Sequence, residues 1–183
     1  MKFLKKNILN IIVIVFLAVL FIFPEVKLKL KDMFFPVAAI EDAIMLQDSD
    51  MDIDLKGINT ADTNLKNLKG NKLIFLNFWG TWCPPCREEW PTIEKLYNAK
   101  NDKVTFVLIA MQDEEEKVRK FLKDNNYTAP VYIAESPISA AVLPKVFPTT
   151  FLLDKNGRIL LKEDASKDWN SKSVNNFIDT FTK

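Results

Sequence analysis

The run Leu73 to Trp79 (LIFLNFW) leads into Cys83 and Cys86, the only two cysteines of this 183-residue chain, with just Gly80, Thr81 and Trp82 between. A nearly continuous apolar run of that length suits a strand buried on both faces of a parallel or mixed sheet. Pro84 and Pro85 then suit the first turn of a helix, because proline fixes φ and lacks an N–H that would be unpaired there. Both thiols therefore belong to one strand-to-helix turn of an α/β domain.

The remaining pattern agrees. The helix that starts at Pro84 is predicted to reach about Asn98, kinked at Pro91, and Val104–Met111 (VTFVLIAM) is a second buried strand. Asp113, followed by Glu114, Glu115 and Glu116, predicts a capped helix start running to Asn125, with the acids serving the helix dipole and not a metal. Strands are predicted at Met51–Leu55 before a Lys56-Gly57 turn, and at Val131–Ala134, Thr150–Asp154 and Arg158–Lys162. The last two are joined by Lys155-Asn156-Gly157, a strong hairpin signal. A final helix covers Ser171–Phe181. The order βαβαβ, hairpin, α describes the thioredoxin fold, a central mixed sheet flanked by helices.

The chain has no histidine, which excludes hydrolases built on Ser-His or Cys-His dyads and most transition-metal ligand sets. Net charge is +1, but residues 1–33 carry six lysines against Glu25 and Asp32, leaving 19 basic and 22 acidic residues beyond. Such a domain lacks the clustered cations a phosphate backbone needs, so nucleic acid is not an expected partner. Lys2, Lys5 and Lys6 precede an apolar run from Ile8 to Phe23, and no small-x-small cleavage site follows it. Residues 1–24 are expected to be an uncleaved signal anchor, near the lower length limit of a spanning helix. Residues 25–50 are expected to be a connector whose apolar patch, Met33–Leu46, suits an interfacial helix or a cover on the domain. The folded domain is expected over 51–183.

A Cys-x-x-Cys at a helix N-terminus places the first sulfur where unpaired amides and the dipole favour a thiolate. Cys83 is then the nucleophile and Cys86, more buried, the thiol that resolves a mixed disulfide. Because neither Pro84 nor Pro85 can donate to the Cys83 sulfur, its thiolate should be only moderately stabilised, closer to reducing thioredoxins than to strong oxidants. A structural zinc site wants four Cys or His ligands and two are present. Copper(I), which accepts two thiolates, stays open as an alternative.

The segments FWGTWCPPCREEWP and FPTTFLLDKNGRI resemble the membrane-anchored, extracytoplasmic thioredoxin-like proteins of the TlpA/ResA kind, over residues 51–182. The resemblance implies a reductase of disulfides in exported proteins, outside the cytoplasmic membrane of a bacterium, often in cytochrome c maturation. A membrane electron donor would recharge it, and no cofactor or metal is expected. The alternatives are a disulfide-forming oxidase or isomerase of the same fold, and a non-catalytic copper(I) carrier or scaffold.

Residue by residue, the family pattern Cys-x-x-Cys-x-x-Glu falls on Glu89, one helical turn beyond Cys86 on the same face, and implies a proton handler. By spacing alone a surface glutamate fits as well. Asn77 stands where cytoplasmic thioredoxins resemble each other in having a buried Asp, and an amide cannot transfer that proton. Pro148 matches the family's cis-proline, which would set Val146-Phe147-Pro148-Thr149 against the cysteines, its backbone free to pair with an extended substrate. Without the family, Phe-Pro is a loop-to-strand start. Trp82 is expected to cover the motif as a contact surface, while Phe78 and Trp79 belong in the core. The expected substrate-binding set is therefore Trp82, Phe147, Pro148 and Thr149.

Overall fold

The computed structural model describes residues 44–70 and 72–182 and, ahead of them, residues 8, 10–18, 23, 26, 29 and 30. Residues 10–18 are helical and exposed. Among the described residues no helix is long and apolar enough to cross a membrane. The rest of the expected anchor and of the connector up to residue 43 lies outside the described residues.

Along the chain come β1 (Asp54–Gly57), β2 (Thr63–Asn64), β3 (Leu73–Trp79), α1 (Pro84–Lys100), β4 (Val104–Ala110), α2 (Glu115–Asn125), β5 (Val131–Ala134), β6 (Thr149–Leu153), β7 (Ile159–Glu163) and α3 (Lys172–Phe181). The strands form one sheet in the order β2-β1-β5-β4-β3-β6-β7. β3, β4 and β5 run parallel, and β6, β7, β1 and β2 add antiparallel on the two sides. This is the thioredoxin-like α/β fold expected from the element order.

Alternation along β3 divides the core. Leu73, Phe75 and Trp79 belong to one apolar cluster with Trp90 and Ile93 of α1, Val118 and Leu122 of α2, and Val174 and Ile178 of α3. Two right-handed crossovers that step the same way across a sheet, β3-α1-β4 and β4-α2-β5, put both helices on the same face. Ile74, Leu76 and Phe78 point to the second face, where Leu46, Met51, Ile53 and Val142 cover them. Asn77 shares the helix-facing parity of Phe75, so the one polar residue of the strand is delivered towards α1.

The amino-terminal strand differs from its prediction. β1 is Asp54–Gly57, and Lys56-Gly57 is strand, not turn, because Leu55, Lys56 and Gly57 pair with Ala134, Ile133 and Tyr132 of β5. Met51 and Ile53 are buried side chains of the second cluster instead. α2 starts at Glu115, and Glu114 at its N-cap makes no side-chain cap; Asp113 is used elsewhere. α1 continues through Pro91 to Lys100. Ile44, Met45 and Leu46, assigned to the connector from sequence, meet the β6–β7 hairpin: Ile159 N–H donates to Ile44 C=O at 2.9 Å and Leu46 N–H to Gly157 C=O at 3.1 Å.

Glu94 of α1 fastens the loop that feeds β5, accepting from Thr128 N–H at 2.9 Å, Thr128 Oγ1 at 2.6 Å and Ala129 N–H at 3.0 Å. Glu94→Ala strands those donors and is expected to lower the unfolding free energy by about 3 kcal/mol. Glu94→Gln, which keeps one acceptor, should lose less than half of that. Urea denaturation midpoints at constant slope measure both.

Candidate active site

Cys83 and Cys86 are joined in a disulfide at the start of α1, with Cα atoms 5.3 Å apart. Cys83 is the N-cap residue, and Pro84 and Pro85 fill the first helical positions. The first N–H able to reach the Cys83 sulfur is that of Cys86 itself, at 3.3 Å. Cys83 keeps 3% exposure and Cys86 none. Beneath them lies an aromatic floor: Trp79 and Trp90 meet edge-on at 4.7 Å, and Trp90 stacks on Tyr127 at 4.9 Å.

The turn ahead of Cys83 is clamped from the β4–α2 loop. Met111 N–H donates to Trp79 C=O at 2.8 Å, and Trp82 Nε1 donates back to Met111 C=O at 3.0 Å. Gln112 adopts the left-handed conformation, φ 52°, and beyond it the Asp113 carboxylate accepts from Thr81 N–H at 2.5 Å and Thr81 Oγ1 at 2.9 Å. Asp113, predicted as a helix cap, therefore holds the active-site turn. Gly80 is required here, because a Cβ on it would collide with the Trp82 indole.

Trp82 is 49% exposed, and its ring meets that of Phe147 edge-on at 5.4 Å. That contact brings the Phe147-Pro148 segment beside the cysteines, and the peptide between the two residues is cis. Among the described residues Phe147 makes no backbone hydrogen bond. The Oγ1 of Thr149, the first residue of β6, lies 2.8 Å from Val146 C=O and 2.9 Å from the Asp164 carboxylate, which share its one proton. Burial pushes the Asp164 carboxyl up, but the Lys162 and Thr149 hydrogen bonds and the charges of Lys162 and Lys145 outweigh it and hold it below the ordinary value. The stability this gives is present above the unfolded pKa and is lost as pH falls through the folded one. Val146, next to Phe147 in the chain, is also an exposed apolar residue.

Glu89 lies fully buried one turn beyond Cys86. Its carboxylate accepts from Asn77 Nδ2 at 3.1 Å, Trp169 Nε1 at 2.9 Å and Lys167 N–H at 3.2 Å. Asn77 also donates to Thr150 Oγ1 at 2.8 Å, its direct partner across the β3–β6 ladder. The reading of Glu89 as a surface residue is thereby overturned. Trp169 and Asp113 have no signal in the sequence that ties them to the cysteines; both reach the site through long-range contacts. Among the described residues no group of three potential ligands could hold a metal ion.

The clamp is testable by fluorescence, since Trp79, Trp90 and Trp169 are fully buried and Trp82 alone is exposed. Asp113→Ala should raise the acrylamide quenching of Trp82, read against a Trp82→Phe control, and cost about 2 kcal/mol of stability from the stranded Thr81 donors.

Comparison with known proteins agrees with this geometry. Residues 46–178 match the family model described as Redoxin. The chain is 37% identical over 111 residues to the thioredoxin-like protein YneN of Bacillus subtilis, covering 59% of this chain and 65% of that one. It is 40% identical over 100 residues to the thiol-disulfide oxidoreductase ResA of Bacillus cereus, covering 54% and 57%. The matches thus span about six-tenths of those relatives' lengths. Among solved structures, a secreted Mycobacterium tuberculosis disulfide oxidoreductase homologous to Escherichia coli DsbE superposes with a TM-score of 0.55 at 25% identity, covering 64% of this chain and 87% of that one. A putative thiol:disulfide interchange protein DsbE from Chlorobium tepidum, at 23% identity, shares the fold with a TM-score of 0.61, covering 71% and 92%. With a cystine at the head of α1 and a family match over most of its length, the chain belongs to the Redoxin family.

Proposed function

We propose that this protein is a thiol–disulfide oxidoreductase that reduces disulfides of exported proteins. The observation that carries the proposal is the closed Cys83–Cys86 pair at the N-terminus of α1, flanked by the exposed Trp82 and by Phe147. In the reduced protein the Cys83 thiolate attacks a substrate disulfide, forms a mixed disulfide and expels the first substrate thiolate. Cys86 then loses its proton to the Glu89 carboxylate and attacks the Cys83 sulfur; the second substrate sulfur leaves with the electron pair, and the cystine closes. Two electrons pass from the dithiol to the substrate. Trp82, Phe147, Pro148 and Thr149 form the surface that receives it, with the Phe147 backbone open to an extended strand.

We place the domain outside the cytoplasmic membrane of a bacterium, tethered by residues 1–24 and recharged by a membrane electron donor. The apolar run Ile8–Phe23 behind three lysines supports the tether, and the secreted relative from M. tuberculosis supports the compartment. Cytochrome c maturation is one process that consumes such a reductant.

Equilibration against a dithiothreitol series measures the reduction potential, expected near or below about −250 mV. A value near about −120 mV would mark a disulfide-forming oxidant and overturn the proposal. Cys86→Ser should trap the mixed disulfide on Cys83 and stop turnover, and Cys83→Ser should form none. Full function in Cys83→Ser would mean a scaffold in place of an enzyme.

A further inference from the structure

Glu89 is bound by groups from two directions. Asn77 reaches it from β3; Trp169 and the Lys167 N–H reach it from the segment between β7 and α3. We propose that Trp169 and Asn77 are positioning residues that hold Glu89 as a charged carboxylate, ready to accept the Cys86 proton. The inference rests on the dithiol chemistry proposed above.

The orientation of the Asn77 amide carries the argument. Its Nδ2 makes both of its hydrogen bonds, to Glu89 and to Thr150 Oγ1, while its Oδ1 is buried with no partner. An unpaired buried acceptor is costly. Turning the amide over would offer Oδ1 to the Thr150 hydroxyl, but it would also set that oxygen against a Glu89 oxygen. Two acceptors repel unless one carries a proton, so the arrangement that turns Nδ2 to Glu89, beside the Trp169 and Lys167 donors, suits a charged carboxylate.

Trp169 is suited to the same task because it supplies a donor that cannot exchange with water. Its ring packs edge-on against Phe75 at 4.9 Å, and its backbone N–H donates to Thr92 Oγ1 at 3.1 Å, which itself donates to Glu89 C=O at 2.7 Å. The indole N–H is thus fixed to α1 through Thr92 as well as through the carboxylate. Of the titratable residues nearest Glu89 along its elements, Cys86 stands one turn before it on α1, and Lys167, whose N–H it accepts, and Asp168 follow β7. The Lys167 ammonium lies 3.8 Å from Glu163. From β3 and β6 the facing groups, Asn77 and Thr150, are neutral, so hydrogen bonding is the means by which these strands act on Glu89.

The test follows the resolving step alone. Mixing the reduced full-length chain with dithiobis(nitrobenzoate) releases one thionitrobenzoate as Cys83 is captured and a second as Cys86 attacks the Cys83 mixed disulfide. The second release is timed across pH, and in the wild type it rises through an inflection that belongs to the coupled Glu89–Cys86 pair. Trp169→Phe keeps an aromatic ring and removes the N–H. It is expected to move the inflection up by about one pH unit, about tenfold slower on the acid side, with the alkaline plateau unchanged. Asn77→Leu, close in shape and without a donor, should move it the same way. If Trp169→Phe does not fold, Asn77→Leu and the carboxyl band of Glu89 in infrared difference spectra decide the question. Inflections that stay at the wild-type pH in these variants while Glu89→Gln moves it would overturn the positioning roles and leave Glu89 as the base. An inflection that keeps its wild-type pH in Glu89→Gln, where Cys86 titrates without the carboxylate, would overturn Glu89 as the base, and the inference with it.

Discussion

A carboxylate buried in an apolar core is tolerated only where fixed donors replace the water it has lost. The donors on Glu89 tie together parts of the chain that hydrophobic packing alone would position loosely. Through Asn77 and Thr150 the network spans β3 and β6, and through Lys167 and Trp169 it reaches the segment before α3. The seating of α1 on the sheet is thereby set by directional contacts one turn below the cystine. Apolar packing around Trp79, Trp90 and Phe121 adds burial, but it is non-directional and could not orient the carboxylate.

The clamp on the other side of the cysteines works by the same principle with different groups. Asp113 and the Met111 carbonyl fix Thr81 and Trp82, so that the turn entering α1 and the helix leaving it are held by separate polar anchors. Between those anchors the Cys83 sulfur has little help from α1. Two prolines remove the nearest N–H groups, and the first donor comes from the partner cysteine. A thiolate with few donors is a better nucleophile and a poorer leaving group than a strongly stabilised one, which is the balance a reductant needs.

The strands and helices around the cysteines were legible in the sequence because each carries a local signal. β3 and β4 are continuous apolar runs, Pro84-Pro85 marks a helix start, and Lys155-Asn156-Gly157 marks the hairpin, where Gly157 sits at φ +88°. Cys83 and Cys86 stand out by their spacing, whereas Glu89 is marked by the resemblance to the TlpA/ResA kind, since spacing alone fits a surface glutamate as well. Elements whose identity depends on a distant partner were misread. β1 is displaced from Met51–Leu55 because pairing with β5 decides which residues are strand. Asp113 has the sequence context of a helix cap, yet besides the neighbouring Glu114 N–H it serves two donors of Thr81, 32 positions away. Trp169 is 80 positions from the carboxylate it binds; no periodicity or motif can carry that information.

The cover of the second sheet face bears on how a tethered domain would be presented. Among the described residues Leu46, Met51 and Ile53, and no α-helix, cover Ile74, Leu76 and Phe78, so the chain at the end of the connector and just after it is part of the core. It enters at the β6–β7 hairpin, against Gly157 and Ile159. A side chain at Gly157 would crowd the Met51 sulfur, a Cβ there lying 3.1 Å from it. The hairpin continues from the end of β6 that pairs with Ile74, whereas Phe78, beside the cysteine end, pairs with Thr149. The seven residues of β3 separate these poles by about 20 Å at the usual rise per residue. Under the membrane-tethered function proposed above, the tether joins one pole and the cystine opens at the other. Trp82 and Phe147 then face away from the point of attachment, towards the space from which an extended substrate strand arrives.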